Sequence, residues 1–268
     1  MTPQPRPPRP APWRTPLLSN LSKSNSTSFS LGTVAYNAAN KPIPRSRTVE
    51  FRGFWPKPAS SLHPSAIESL KTQNVGLNPD LYESDFLSIT TDARMGKVPQ
   101  LADSDDVVEG VFWFPEVEAQ WRVRGRAYVV GAPGGVLDGD EVEARGRVEK
   151  GMRVKGEGEG GFGVVQGWEW ERQITTYFAS HTPVMRGSYK NPRPGRPRSE
   201  APENSELKLN QKVEDLNDPV ARENFRVLVI CPREVERLDF SNPEDVRRTN
   251  WTLVDEDGGG WKETELWP

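Results

Sequence analysis

Two hydroxyls, a carboxylate and two cations fall within eight residues of this chain: Thr90, Thr91, Asp92, Arg94 and Lys97, in the stretch FLSITTDARMGKV from Phe86 to Val98. Cations neutralise a phosphate dianion, and hydroxyl and amide donors orient it, so the set suits a phosphate ester. Phe86, Leu87 and Ile89 supply a strand-like apolar lead-in. The polar residues after them read as a turn whose backbone N–H groups are free and which ends on a lysine. Taken alone, the same residues also describe a solvated turn with scattered charge. The rest of the chain decides between the two.

Other chemistries find less support. Cys231 is the one cysteine in 268 residues, so no intrachain disulfide can form, and its apolar neighbours Val227–Ile230 mark it as a buried, inert thiol. His63 and His181 are too few for a zinc site. Gly158-x-Gly160-x-x-Gly163 matches a dinucleotide fingerprint in form only: no apolar strand leads into it, and Glu157 and Glu159 would repel a pyrophosphate. A net charge of −3 forces no basic patch of the nucleic-acid type. No apolar run approaches the ~20 residues that span a bilayer, and the N-terminus has no apolar signal core. A cytoplasmic protein is expected.

Residues 1–12, MTPQPRPPRPAP, read as a disordered proline-rich tail, and residues 13–268 as a single domain. Irregular insertions are expected at 131–163 and 188–218, where Gly, Pro and charged residues concentrate. Trp13–Ser22 reads as a short helix with Trp13, Leu17 and Leu21 on one stripe. Phe29–Tyr36 and Arg45–Phe54 read as a hairpin in which Arg47, Val49 and Phe51 share one face, and Thr48, Glu50 and Arg52 the other. Gly53 ends or bends the second strand. After a crossing loop with one helical turn at Ser65–Lys71, strands are expected at Val107–Phe114 and Glu118–Val130. In the latter, Gln120, Arg122, Arg124 and Arg126 alternate with Trp121, Val123 and Gly125, as a strand with one wet face requires. A helix at Trp168–Ser180, strands at Phe225–Ile230 and Val235–Phe240, and a hairpin of Asn250–Val254 with Trp261–Trp267 complete the pattern. Hairpins dominate and no βαβ alternation occurs. The fold class is therefore mainly β (α+β): an antiparallel barrel with peripheral helices.

Several segments, in their order and spacing, resemble the pyridoxamine 5′-phosphate oxidase family, and within it the Alr4036-type FMN-binding branch. They are PWRTPLLSNL, FSLGTVAY, RTVEFRGF, ITTDARMGK, VFWFPEVEAQWRVRG, SHTPVMRGSYKNPRPG, ENFRVLVICPREVERLDF and the terminal WKETELWP. The resemblance implies a split β-barrel homodimer with FMN in the groove between subunits. It places Arg47 and Lys97 at the FMN phosphate and Thr91 and Gln120 against the flavin. Arg52 falls near the pyrimidine edge, and Arg186 at the arginine that follows the family's helix. Arg247 or Arg248 falls near its C-terminal arginine. Arg47 and Arg52 lie on opposite faces of a regular strand, which fits one at the phosphate and one at the ring. Met95 and Gly96 depart from the family's turn, replacing a hydroxyl and an arginine. Each lost charge-assisted hydrogen bond weakens phosphate binding by about 1.5–3 kcal/mol.

The activity so implied is an FMN-dependent oxidase. A CH–NH2 or CH–OH donor would give hydride to flavin N5, and O2 would be the acceptor. No protein base is required and no metal is implied. A non-catalytic FMN-binding or flavin-free split-barrel protein, or an NAD(P)H-dependent flavin reductase, are the alternatives.

Overall fold

A computed structural model of the chain describes residues 9–132, 139–156, 167–254 and 260–268. The proline-rich residues 1–8, the Gly158–Gly163 fingerprint and the tip of the C-terminal hairpin at 255–259 lie outside the described residues.

In chain order the elements are α1 (Arg14–Lys23), β1 (Ser28–Tyr36), β2 (Pro42–Glu50), α2 (Pro64–Thr72), β3 (Tyr82–Glu83), β4 (Leu87–Asp92), α3 (Lys97–Asp103), β5 (Val107–Phe114), β6 (Ala119–Val130), α4 (Gly139–Lys150), β7 (Arg153–Val154), α5 (Trp170–Ala179), α6 (Pro183–Gly187), α7 (Pro219–Asn224), β8 (Phe225–Asp239), β9 (Arg247–Leu253) and β10 (Trp261–Leu266). The main sheet is antiparallel, in the order β10-β9-β8-β6-β5-β1-β2, with β4 on the other edge of β8; β3 and β7 pair separately. Strand pairing leaves the sheet open between β2 and β4. Residues just past β2 meet that gap. Arg52 N–H donates to Ser88 O at 2.8 Å, Ser88 N–H to Gly53 O at 3.0 Å, and Trp55 N–H to Phe86 O at 2.8 Å. Gly53 turns the chain there with φ +101°, a conformation that suits a residue without Cβ.

The two halves expected at Phe225–Ile230 and Val235–Phe240 are one 15-residue strand. Its first half pairs with β4, its second with β9, and β6 runs along its other edge. The run reads as continuous apolar because both faces are covered. Val227 and Val229 belong to the core under α5, and Leu228 and Ile230 to the barrel interior. Pro232 sits where the β6 register shifts, opposite Gly125; a Cβ on Gly125 would lie 2.1 Å from Cys231 O. A bulge is where a sheet tolerates proline.

Along β6 the expected alternation holds: Trp121, Val123 and Ala127 are buried, while Arg122 and Arg124 are exposed. Trp121 stacks on Trp251 at 5.8 Å, and its indole N–H donates to Asn20 of α1 at 2.8 Å. The region expected to be an irregular insertion at 131–163 carries α4 and β7 in its described part. The helix shows little apolar periodicity because an ion pair anchors it. Glu141 accepts from the N–H groups of Gly131 and Ala132 at 2.8 and 2.7 Å and from Arg145 at 2.6 Å. In the 188–218 segment, by contrast, regular structure is confined to one 3-10 turn at Ser188–Lys190, though Leu207, Val213 and Leu216 are buried.

Candidate functional site

A cavity of about 490 Å³ opens beside the unclosed edge of the sheet. Its walls come from four places in the chain: Thr48, Val49, Glu50 and Arg52 at the end of β2; Thr90–Asp92, Met95 and Lys97 from β4 through the turn into α3; Met185 on α6; and Ser188, Tyr189, Asn191, Pro192, Pro194 and Leu209 beyond it. The volume is in the range of about 300–1,000 Å³ typical of small-molecule sites.

The turn folds as Asp92 directs. Asp92 Oδ1 accepts from Arg94 N–H at 2.8 Å, and its carbonyl from Met95 N–H at 3.1 Å; Ala93 N–H donates to Asn224 O at 2.8 Å. The N–H groups of 93–95, expected to be free for an anion, are therefore engaged within the protein. Arg94 is engaged too. Its Nε and Nη2 reach both Asp92 oxygens at 2.9 and 2.6 Å, and Nη2 also donates to Tyr189 O at 3.2 Å. An Asp two residues from an Arg signals such internal pairing.

Lys97 is different. It is 8% exposed, and its ammonium donates to Thr91 Oγ1 at 2.8 Å and to the thioether Met95 Sδ at 3.0 Å. No ion pair to it is present among the described residues. Burial, and then the charge of Arg47, hold its pKa down to about 8, with Asp92 opposing. A buried ammonium whose partners among the described residues are a hydroxyl and a sulfur is incompletely satisfied.

Arg47 stands on the same inner side of the sheet, opposite Leu31 on β1. It donates to Thr33 Oγ1 at 2.6 Å, to Leu31 O at 3.2 Å and to Gln100 Oε1 at 2.8 Å; Gln100 is one turn past Lys97 on α3. It does not line the cavity, but its charge is felt at Lys97. Burial, and then Arg45, lower its own pKa. Arg52, two residues past the end of β2, does line the cavity, whereas Arg47 does not. Its Nη2 donates to Met185 Sδ at 3.5 Å, and its buried Nε has no hydrogen-bond partner among the described residues.

Thr91 is thus brought to Lys97, and Arg52 to the same cavity. Gln120 and Arg186 are not. Gln120 sits at the far end of β6, opposite Trp113 and Leu238, with its amide oxygen best turned to Arg122 Nε at 3.1 Å. Arg186 is 2% exposed and fastens the 188–218 segment. Its Nε donates to Val213 O at 2.8 Å, and its guanidinium lies 5.9 Å from the Phe178 ring. That bond holds its Nε within the protein. Arg248 is paired with Glu236 at 2.7 Å on the outer face of the sheet, and Arg247 with Asp245 at 2.7 Å.

Thr90, part of the turn that the sequence offered for a phosphate, lines the cavity, whereas sequence reading did not single out Met185 and Tyr189 as cavity residues. Thr90 Oγ1 lies 3.0 Å from His181 Nε2. Burial, then Arg52, Arg186 and Lys57, push the His181 imidazole down to about 3, so it is neutral at any ordinary pH. Burial raises the Tyr189 hydroxyl, with a hydrogen bond to Thr90 opposing. The signal for Met185 and Tyr189 was the segment SHTPVMRGSYKNPRPG itself, whose spacing singles out no one side chain. No cluster of three metal-ligating side chains is present among the described residues.

No curated protein matches the chain. Among solved structures, it resembles a pyridoxamine 5′-phosphate oxidase-related, FMN binding protein from Nostoc punctiforme, with TM-score 0.57 and 17% identity over 97% of this chain and 100% of that one. At that identity the likeness is one of fold. PhzG from Burkholderia lata, solved with tetrahydrophenazine-1-carboxylic acid, aligns over 95% of this chain and 89% of its own at TM-score 0.41 and 14% identity. Residues 10–131, which hold β1 to β6 and the Thr91–Lys97 turn, match the family model described as pyridoxamine 5′-phosphate oxidase, FMN-binding domain. Over that stretch, a little under half of the chain, the sequence is similar to the pyridoxamine 5′-phosphate oxidase FMN-binding domain.

Proposed function

We propose that this chain binds FMN in the cavity beside β4 and acts as an oxidoreductase on a CH–NH2 or CH–OH donor, with O2 as acceptor. One observation carries the reading: Lys97, almost fully buried, has a hydroxyl and a thioether for partners and no carboxylate ion pair among the described residues. A phosphate dianion is the group that completes it. Thr91 and Lys97 would hold the phosphate, and Arg47 would add charge from behind through α3. Arg52, with an unsatisfied Nε at the cavity wall, would face the ring system. A cation there favours a reduced, anionic flavin. Met95, Met185, Leu209, Pro192 and Pro194 give the cavity an apolar wall suited to a flat ring. FMN, when bound, supplies the hydride acceptor; the protein supplies position, charge and exclusion of water.

Gln120 stands away from the cavity of its own chain. A homodimer, with FMN between subunits, is the arrangement in which it could meet a flavin, and is part of the proposal. No helix among the described residues is long and apolar enough to cross a membrane. The single cysteine supports a cytoplasmic place.

A second reading, an FMN binder without turnover, is favoured by the engaged turn. Arg94 belongs to Asp92 and the N–H groups at 93–95 have partners, so fewer donors hold the phosphate than the sequence offered. Titration with FMN tests both. Binding with fluorescence quenching in the parent, and its loss in Lys97→Ala, supports the site; a colourless protein indifferent to FMN refutes it. Anaerobic bleaching by an amine or alcohol donor supports the oxidase. No bleaching by any donor leaves the binder, and bleaching by reduced nicotinamide alone points to a flavin reductase.

A further inference from the structure

Both cations on the cavity wall rest on methionine sulfur. Lys97 Nζ donates to Met95 Sδ at 3.0 Å, and Arg52 Nη2 to Met185 Sδ at 3.5 Å. A thioether is a weak acceptor, so both contacts are easily exchanged for an anion. These two methionines are also open to solvent, at 36% and 38% exposure, whereas Met152 is fully buried in the core. We propose that Met95 and Met185 are the oxidation sites of this cavity, and that their sulfoxides capture Lys97 and Arg52 and so close the cavity to a phosphate ester.

The oxidant is hydrogen peroxide, the two-electron reduction product of the oxygen acceptor proposed above. A sulfur lone pair attacks one peroxide oxygen. The S–O bond forms as the O–O bond breaks; sulfur loses two electrons and peroxide gains them. The proton on the transferred oxygen passes to the departing hydroxide, which leaves as water. The product is a polar sulfoxide, reversible by methionine sulfoxide reductases. Its oxygen is one bond from an atom already in contact with Lys97, and it is a far stronger acceptor than the sulfur. Lys97 then has a neutral oxygen partner inside the protein, and an incoming phosphate must displace it. The charges that act on Lys97, Arg47 and Asp92, are unchanged by the reaction.

The ligand part of this inference rests on the proposed FMN site, so two readouts are needed. Full-length protein is treated with dilute hydrogen peroxide and its methionines are mapped by peptide mass spectrometry. Oxygen should be gained at Met95 and Met185 before Met152. FMN affinity should then fall at least tenfold in the parent, recover with sulfoxide reductase, and stay constant in Met95→Leu/Met185→Leu. Independently of FMN, the rate at which an amine-acylating reagent labels Lys97 at pH 8 should drop on oxidation of the parent and not in Met95→Leu. Failure of untreated protein to bind FMN would overturn the functional reading alone, since the labelling readout still stands. Oxidation of Met152 as fast as Met95, an equal loss of FMN affinity in the leucine variant, or unchanged labelling of Lys97 would overturn the switch.

Discussion

Two of the places where the molecule buries a cation treat it in opposite ways. Between β3 and β7, Arg153 is matched by carboxylates: Nη1 and Nη2 reach the two Asp85 oxygens at 2.8 and 2.9 Å, and Nε reaches Glu83 at 2.9 Å. Arg14 joins Asp85 at 3.0 Å, and the Ala11 N–H donates to the same carboxylate at 2.9 Å. Burial pulls the Arg153 guanidinium down, but the bonds and charge of Asp85, with Glu83, outweigh it and leave its pKa above the ordinary value. Beside β4, Lys97 and Arg47 have hydroxyl, carbonyl, amide and thioether partners, and both pKa values are lowered. The first cluster is complete without a ligand and holds the N-terminal segment to the barrel. The second is left short of negative charge. That shortfall is what a binding site for an anion looks like before the anion arrives.

The sharpest way to break the comparison is to remove the acid from the complete cluster. Asp85→Ala leaves Arg153 and Arg14 buried without their main partner and frees Ala11. It should cost about 3–5 kcal/mol of stability, as expected for one half of a buried pair, read by urea unfolding. FMN affinity of the folded fraction should be unchanged. Lys97→Met should do the reverse. It removes a buried charge that no carboxylate balances, so stability should move by no more than about 1 kcal/mol. The loss of one charged hydrogen bond to phosphate should weaken FMN binding by about 1.5–3 kcal/mol, roughly ten- to hundredfold in Kd. If Lys97→Met unfolds the protein as badly as Asp85→Ala, the two clusters are the same kind of thing and the site assignment is wrong.

This difference could not be seen in the chain itself. The hairpin, the alternation in β6 and the apolar run of β8 were legible because period-two burial writes itself into residue type. The helix α4 was not, because Glu141 and Arg145 anchor it where an apolar stripe would usually do so. In the turn, Thr91 was expected against the flavin and Lys97 at the phosphate; the fold bonds the two to each other at 2.8 Å. Arg94 looked equivalent to Lys97 until its pairing with Asp92 was visible. Arg186 was expected at the cofactor, and its Nε bond to Val213 O is a contact that the chain alone does not announce. A sequence lists charges; it does not say which are already matched across the fold.

The pH dependence separates the clusters more finely. Lys97 is held down to about 8 from its ordinary 10.5. Below pH 8 it is charged in folded and unfolded chains alike, and the full cost of burying the charge is present. Between about pH 8 and 10.5 the unfolded chain binds the extra proton, so this group makes stability rise with pH across that window. FMN affinity should move the other way. A phosphate monoester, whose second pKa is about 6, is already a dianion, so above pH 8 binding must first restore the proton to Lys97. Affinity should fall with pH in the parent and be flat in Lys97→Met. Lys57 is lowered to about 8 as well, by burial and then Arg52, but it donates to Arg52 O at 2.9 Å and does not line the cavity. Lys57→Met should therefore keep the parent's decline in affinity; if it abolishes the decline, the titrating group has been misassigned.

The smallest effect belongs to Gln120, and it bears on the assembly. This side chain belongs to neither cluster; it lies at the opposite end of β6 from Val130, where β6 meets the first residues of β8. Within one chain it has no route to the cavity, so Gln120→Ala should leave FMN binding by a monomer untouched. If two copies place it against a flavin, the loss of one neutral hydrogen bond should weaken binding by about 0.5–1.5 kcal/mol, and only where the chain is dimeric. The measurement is FMN affinity at chain concentrations above and below the dimer dissociation constant, with assembly followed by sedimentation. A loss confined to the dimer would mean that the unmatched cations of one copy and the wet sheet face of another make a single site. A loss equally present in the monomer would mean that residue 120 acts through the fold, and no loss at either concentration would remove it from the site altogether.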